Sequence, residues 1–389
     1  MQNNSGMLPA LESGPLIKIR KINHGRFVLT TGIHSPAHAA FADTVPRQSS
    51  QSFSFTGSGS EYFRIWIVNL LLTLVTLGIY SAWAKVRKTK YFHNNTVVDG
   101  SSFEYHGKPV AILKGRAIAF VLAVGYNVMI NSGSGWLAFG ALLALGAGLP
   151  WLLWKSLQFR AWNTSWRGVR FGFGGTIGEA YKTFLLWPFL AIVSLYAALP
   201  FAHHQIKAWQ HSRARFGQTE FSMTRCVGGF YMAYLLVIGA LVLGVLGLLG
   251  LGLFAAVSAS QNPAEKAAAM ESLVIGVGVI YLVLLAIGPM MAAKIFNTLW
   301  SNTKLGPHQF ECRIPMGQAA FVGITNFLGI AVTLGLFIPW AAVRWSKLRA
   351  QHLVIHATSP LDEFVAAAEA ETRTLGEGVA DLGDFDLGL

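Results

Sequence analysis

The sequence Asn69-Leu-Leu-Leu-Thr-Leu-Val-Thr-Leu-Gly-Ile-Tyr-Ser-Ala-Trp-Ala-Lys-Val-Arg87 returns in altered form near the end of the chain. The second copy reads Asn326-Phe-Leu-Gly-Ile-Ala-Val-Thr-Leu-Gly-Leu-Phe-Ile-Pro-Trp-Ala-Ala-Val-Arg344. Both copies keep the Asn, the Thr-Leu-Gly, the Trp and the Val-Arg at the same spacing. In each copy an apolar stretch runs into a basic one, which is typical of a membrane segment with a cationic end.

Five phenylalanines extend this pattern over most of the chain. They are followed at regular distances by an apolar segment and a basic stretch, and the spacing predicts five internally repeated units at 53–102, 103–170, 171–220, 221–309 and 310–356. A second aromatic side chain two residues after the first three predicts a short strand or an interfacial anchor. The five anchors are Phe53, Phe103, Phe171, Phe221 and Phe310.

The composition excludes an ordinary soluble protein. Hydrophobic residues make up 53% of the chain and charged residues only 12%, about half the charged fraction of a typical soluble domain. The apolar residues fall into seven stretches, most of them near the 20 residues that a spanning helix needs. We therefore predict an all-α, polytopic membrane helix bundle with internal repeats and short extramembrane strands or loops. The stretches are 62–84, 117–131, 136–154, 183–202, 227–256, 273–293 and 319–343.

The repeated motif carries a family resemblance. The run N-x6-T-L-G-[IL]-[YF]-x-x-W-A-x-V-R, with the downstream Asn-Thr-x-x-x-Gly-x-x-Phe of 95–103, resembles the YjgN-like family of bacterial inner-membrane proteins. The resemblance covers roughly 53–355. It implies a multi-pass protein of the bacterial cytoplasmic membrane. It implies no catalytic residue, because the function of the family is uncharacterised.

Charge is unevenly distributed along the chain. The net charge is +12, and most basic residues lie beside apolar stretches, which favours contact with anionic membrane lipids over nucleic acid. The sequence predicts a mostly disordered N-terminal tail at 1–52, a membrane domain at 53–356 and an acidic C-terminal tail at 357–389. The acidic tail is a candidate site for a protein partner.

Two rules disagree about topology. The lengths of the seven apolar stretches favour seven crossings, so that successive units lie on opposite faces of the membrane. The basic residues at every unit boundary favour the alternative, in which all boundaries are cytoplasmic. In that arrangement units one, three and five enter and leave by the same face, broken at Thr-Leu-Gly or at Pro. We expect seven crossings, and the alternative remains open.

Six residues are candidates for a function. Asn69 and Asn326 sit at matching positions inside apolar stretches, where a paired polar site near a pseudo-symmetry axis competes with simple hydrogen bonding between helices. Four cations lie at matching positions after the apolar stretches, where binding of anionic head groups competes with ordinary anchoring of helix ends. They are Arg87, Lys155, Lys294 and Arg344.

The sequence contains no catalytic constellation, and we predict neither an enzyme nor a bound cofactor or metal. His203, His204 and His211 lack metal-ligand spacing and indicate an interfacial polar face. Cys226 and Cys312 are expected to be free thiols. Our leading hypothesis is transport or permeation of a small or lipidic solute. The alternative is a membrane scaffold or envelope-associated protein that binds anionic lipid and a protein partner.

Overall fold

The computed structural model describes residues 49–257 and 263–376, and it corrects the predicted fold class. The helices are joined to one antiparallel sheet of eleven strands, so the all-α prediction is wrong. The strands are β1 (Ser49–Ser52), β2 (Ser54–Phe55), β3 (Thr96–Val98), β4 (Ser101–Tyr105), β5 (Thr164–Trp166), β6 (Val169–Phe173), β7 (Ala214–Phe216), β8 (Thr219–Met223), β9 (Thr303–Leu305), β10 (His308–Cys312) and β11 (Leu353–Ala357).

The sheet nearly closes on itself. Its strand order is β1-β11-β10-β9-β8-β7-β6-β5-β4-β3-β2. The two end strands, β1 and β2, are consecutive in the chain and separated only by Phe53. β1 pairs with β11, with Ser49 opposite Ala357 and Ser52 opposite Val354, while β2 pairs with β3. Because the ring is linked through the chain itself, little strand edge is left unpaired.

A helical hairpin fills each of the five long intervals between strands. In the first, third and fifth intervals both arms are short, and in the second and fourth they are long. The arms are α1 (Gly59–Val75) with α2 (Ser81–Asn94), α3 (Pro109–Ile130) with α4 (Gly135–Trp162), α5 (Ile177–Tyr181) continuing through a π-turn (Lys182–Leu186) into α6 (Trp187–Val193) with α7 (Leu199–Ser212), α8 (Val227–Val257) with α9 (Pro263–Trp300), and α10 (Met316–Val332) with α11 (Ile338–Gln351).

The connectivity contradicts seven crossings. Every hairpin begins and ends at strands of the same sheet, and one sheet cannot lie on both sides of a membrane. Among the described residues, four helices are long and apolar enough to cross a membrane: α3, α4, α8 and α9. The stretches 62–84, 183–202 and 319–343 instead fold back, as the basic unit boundaries had indicated.

The Thr-Leu-Gly motif forms the tip of a short hairpin. The Thr76 hydroxyl donates to the Leu72 carbonyl oxygen at 2.6 Å and accepts from the Tyr80 amide at 2.9 Å, and Thr333 makes the equivalent pair of bonds in the fifth hairpin. Leu77 then adopts a φ of 49° and Gly78 a φ of 92°. The Leu77 side chain is 94% exposed, as expected of a tip that is buried in lipid.

Four prolines near the ends of the apolar stretches occupy two different kinds of position in the helices. Pro200 and Pro339 stand in the first turn of α7 and α11, where the missing amide hydrogen costs no helical bond. Pro150 and Pro289 lie inside the continuous helices α4 and α9. The second and fourth hairpins therefore do not break at these positions, and their arms stay long enough to span.

Part of each predicted tail belongs to the fold. Residues 49–52, assigned to the N-terminal tail, form β1, whereas 1–48 lie outside the described residues. The first half of the acidic tail forms α12 (Leu361–Gly376), with Leu361, Val365 and Ala368 buried against the strands. Residues 377–389 lie outside the described part of the chain.

Cysteine labelling tests this topology. In a cell, Arg170→Cys on β6 and Ser222→Cys on β8 flank the third hairpin and should react with a membrane-impermeant maleimide from the cytoplasmic face only. Ser132→Cys, in the loop between α3 and α4, should react only from the opposite face, and Leu77→Cys should react from neither. The unsubstituted protein gives the background from Cys226 and Cys312. Labelling of positions 170 and 222 from opposite faces would restore the seven-crossing topology.

Candidate functional site

The five anchor phenylalanines meet at the centre of the sheet. Ring centroids are 6.4 Å apart for Phe53 and Phe103, 6.2 Å for Phe103 and Phe171, and 6.4 Å for Phe171 and Phe221. The circuit closes through Phe310, at 6.2 Å from Phe221 and 6.5 Å from Phe53. These contacts lie within the range of aromatic pairs. We call this circuit the phenylalanine ring.

An apolar chamber lies at the phenylalanine ring. Its volume is about 100 Å³, which is space for a few water molecules. Trp166, Phe216, Leu305 and Ile355 extend its wall, and each stands opposite a ring phenylalanine in the strand register. The chamber extends toward the β-turns, because Val98 and His308, which border two of these turns, also line it.

Helix α12 covers the chamber at the β-turn end. Phe364 packs edge-on against His308 at 4.5 Å and stacks on Phe216 at 5.9 Å. Asp362 forms an ion pair with Arg167 at 2.6 Å. His308 is fully buried, and burial lowers its pKa, so its imidazole is neutral and its Nδ1 accepts from the Thr358 amide at 3.3 Å. The chamber is thus covered on this side, although it is not fully enclosed.

On the helical side lies a second cavity with a different character, which we call the basic cavity. Its volume is about 510 Å³, and its polar lining comes from His203, Lys207 and His211 on α7 and Arg349 on α11. Burial, and then the neighbouring Lys207, lowers the pKa of His211 to about 4. Trp300 of α9 lines both cavities, so the basic cavity adjoins the phenylalanine ring.

The structure brings two of the candidate residues together. Asn326 and Arg344 lie on facing arms of the fifth hairpin, where the Arg344 Nη1 donates to the Asn326 Oδ1 at 2.8 Å. The Arg344 Nη2 donates to the Thr325 hydroxyl at 2.8 Å. Asn326 is buried. The predicted polar site and one predicted head-group contact are therefore parts of one hydrogen-bonded cluster.

The matching residues of the first hairpin are not joined. Asn69 is buried, and its Oδ1 has no hydrogen-bond partner. Arg87 is exposed and lies over the Tyr80 ring at 5.8 Å. The structure therefore does not join Asn69 and Asn326 in a common paired site.

The other two predicted cations belong to the second and fourth units, which contain the long hairpins. The Lys155 ammonium sits over the Trp154 ring at 4.7 Å, a cation–π contact suited to a membrane interface. Lys294 is half-buried on α9, and it is not among the residues that line the basic cavity. Together with the exposed Arg87, these positions stay candidates for head-group contact.

Glutamates near the anchors have structural partners. Glu61 and Glu179 complete capping boxes with Ser58 and Thr176 at the starts of α1 and α5. The bond from the Ser58 amide is the main cause of a lowered pKa for Glu61. Glu179 also accepts from Trp209 at 3.0 Å and pairs with Arg213. Since Tyr91 of α2 bonds to Glu61 and Trp209 of α7 bonds to Glu179, these carboxylates fasten the start of each hairpin to its returning arm.

Sequence analysis missed a polar row on the outer face of the sheet. Ser50 contacts the His356 Nδ1 at 2.9 Å, and the His356 Nε2 contacts Glu311 at 2.9 Å. The row joins β1, β11 and β10. Arg313 also pairs with Glu311 at 2.5 Å. The three residues lie 306 positions apart at most, so only strand register could have identified them.

Comparisons with known proteins place the chain among bacterial membrane proteins. A family described as "Bacterial protein of unknown function (DUF898)" matches residues 50–382. Inner membrane protein YjgN of Salmonella typhimurium is 35% identical over 148 residues, which is 37% of this chain and 37% of that protein. Two YjgN proteins from Escherichia coli are each 25% identical over 72% of this chain and 58% of their own length.

The matched region thus spans well under two thirds of these relatives' own length. No solved structure matches the chain. The relatives and the four membrane-length helices agree with the predicted location: the protein is a multi-pass protein of the bacterial inner membrane.

The two asparagines should respond differently to substitution. Asn326→Leu removes one acceptor of the half-buried Arg344, so we expect the free energy of unfolding to fall by about 1–3 kcal/mol. Asn69→Leu removes an oxygen that has no partner, so we expect little loss or a small gain. Denaturant unfolding in detergent micelles, followed by tryptophan fluorescence, measures both. Equal losses for the two variants would contradict the different environments described above.

Proposed function

We propose that this chain, which belongs to the DUF898 family of bacterial proteins of unknown function, forms a permeation pathway for small solutes. The pathway follows the axis of the sheet. It leads from the basic cavity through the phenylalanine ring into the apolar chamber and leaves past α12.

The phenylalanine ring is the observation that carries this proposal. An apolar constriction excludes water and ions when it is narrow, and a small widening lets water enter. Five aromatic side chains in a closed circuit, next to a chamber for only a few waters, meet this description of a closed gate. A protein that serves only as an anchor has no need for two adjoining cavities that share Trp300 in their walls.

We further propose that the five units arose by internal duplication. In each of them an anchor strand leads into a helical hairpin and then into a further strand. Transporters built from repeats often place their pathway where the repeats meet. Here the meeting point is the phenylalanine ring, to which each unit contributes one anchor.

The scaffold function is the second candidate, and it is less well supported. Exposed Arg87 and the Lys155–Trp154 contact suit anionic lipid. The described part of the acidic tail, however, packs on this protein's own strands through Leu361 and Phe364. Only its charged outer face is left for a partner.

Liposome flux tests the pathway. Phe103→Ala and Phe221→Ala remove single members of the phenylalanine ring, so we expect the leak of iodide into liposomes to rise about tenfold as water enters the constriction. A trapped halide-quenched dye reports the leak. Phe103→Leu keeps most of the apolar volume and should give a smaller increase.

Phe120→Ala is the matched control, since Phe120 lies on α3 and its side chain is 70% exposed. Its flux should equal that of the unsubstituted protein. If neither ring variant leaks although both insert and purify normally, the axis is not a permeation pathway.

A further inference from the structure

One lysine of the basic cavity, Lys207, belongs to a group of four cations from three of the predicted units. Lys85 lies on α2, Arg116 on α3, Arg160 on α4 and Lys207 on α7. Burial lowers the pKa of Lys85, and the guanidinium groups of Arg116 and Arg160 lower it further. Burial, and then Arg160, likewise lowers the pKa of Lys207. The four cations are thus linked through their charges, and we call them the cation cluster; of the four, Lys207 lines the basic cavity.

No carboxylate compensates this cluster within 49–257 and 263–376. None of the four cations forms an ion pair there. Arg116 is bonded to the Ser81 hydroxyl, and Arg160 donates weakly to the Ser156 carbonyl oxygen at 3.4 Å. Arg160 is exposed, and the other three cations are half-buried. Mutual repulsion of cations that are partly removed from water is unfavourable, and a bound anion would offset it.

The basic cavity provides space for such an anion. Lys207 lines it, and Arg349 approaches from the other side. The Arg349 guanidinium rests on Phe296 at 5.0 Å and on Trp345 at 5.2 Å, while its Nε is buried without a hydrogen-bond partner. The two aromatic rings hold the Arg349 guanidinium in place, and its Nε has no acceptor from the described residues. This donor is therefore available to a bound ligand.

We propose that the basic cavity binds a phosphate-bearing anion between Lys207 and Arg349, the two cations that line it. Guanidinium groups match the oxygens of phosphate in a fork geometry, and several cations together favour a multiply charged group over a halide. The neutral His203 and His211 add hydrogen-bonding groups at the same wall. The proposal rests on the proposed function, since it names the class of solute that the pathway would admit.

Two sources of phosphate are possible, and two probes separate them. Calorimetry on the full chain in detergent measures binding of inorganic phosphate, and a parallel titration uses short-chain phosphatidylglycerol. We expect at least one probe to bind. Lys207→Gln and Arg349→Gln should each weaken that binding about tenfold, as is usual for loss of one charge-assisted bond. Binding of phosphate indicates a free solute, and binding of only the lipid indicates a head group.

Matched variants guard against misfolding. Lys207→Arg keeps the charge and should bind nearly as well as the unsubstituted protein. Lys304→Gln removes an exposed cation on β9 and should leave binding unchanged. The proposal is overturned if neither probe binds, or if Lys207→Gln and Arg349→Gln bind as tightly as Lys304→Gln.

Failure of this inference can be told from failure of the proposed function. If phosphate binding depends on Lys207 while Phe103→Ala and Phe221→Ala do not leak, the phosphate site is supported and the permeation pathway is contradicted. If the ring variants leak but neither probe binds, the permeation pathway is supported and the phosphate site is contradicted.

Discussion

The fold depends on the closure of the eleven-stranded sheet at Phe53. β1 and β2 are neighbours in the chain, yet they pair at opposite ends of the sheet, with β11 and with β3. This split joins the last unit to the first. It also brings Phe53 into contact with Phe310 at 6.5 Å, which completes the phenylalanine ring. Without the closure, two strand edges would be open and the central constriction would have a gap.

The same closure decides how the protein sits in the membrane. Because all hairpins leave one ring, the long pairs α3–α4 and α8–α9 span, and the short pairs only enter. The argument from length failed for the short pairs because it required each returning arm to be apolar. The returning arm α2 carries Lys85, Arg87, Lys88 and Lys90. α2 packs between α1, α3 and β4, while its exposed Arg87, Lys88 and Lys90 can extend to the polar interface of the membrane.

The sequence was informative about every feature that depends on a single segment of the chain. It located the anchors, the Thr-Leu-Gly tip and the apolar stretches, because each is a local pattern. The sheet could not be predicted, because its strands contain only two to five residues each. Such strands are too short to show a clear alternation of apolar and polar side chains. Contacts such as Phe53 with Phe310, or Ser50 with His356, follow only from strand register.

The candidate cations show the same limit on a smaller scale. Equal spacing singled out Arg87, which is exposed beside Tyr80. Lys85, two positions earlier, points elsewhere, because two residues turn a helix by about 200°. Asn326 and Arg344 are 18 positions apart, and only the turn at Thr333 brings them together. Spacing therefore found the right helices, whereas packing selected the side chains that face the axis.

Closure of the sheet can be measured directly by disulfide cross-linking in native membranes. Ser52→Cys on β1 and Val354→Cys on β11 are opposite in register, and Ser222→Cys with Lys304→Cys is the matched pair between β8 and β9. Both pairs should form a disulfide on mild oxidation, seen as a shift on a non-reducing gel. A cross-link at 222–304 without one at 52–354 would show an open sheet and would contradict the ring on which the constriction depends.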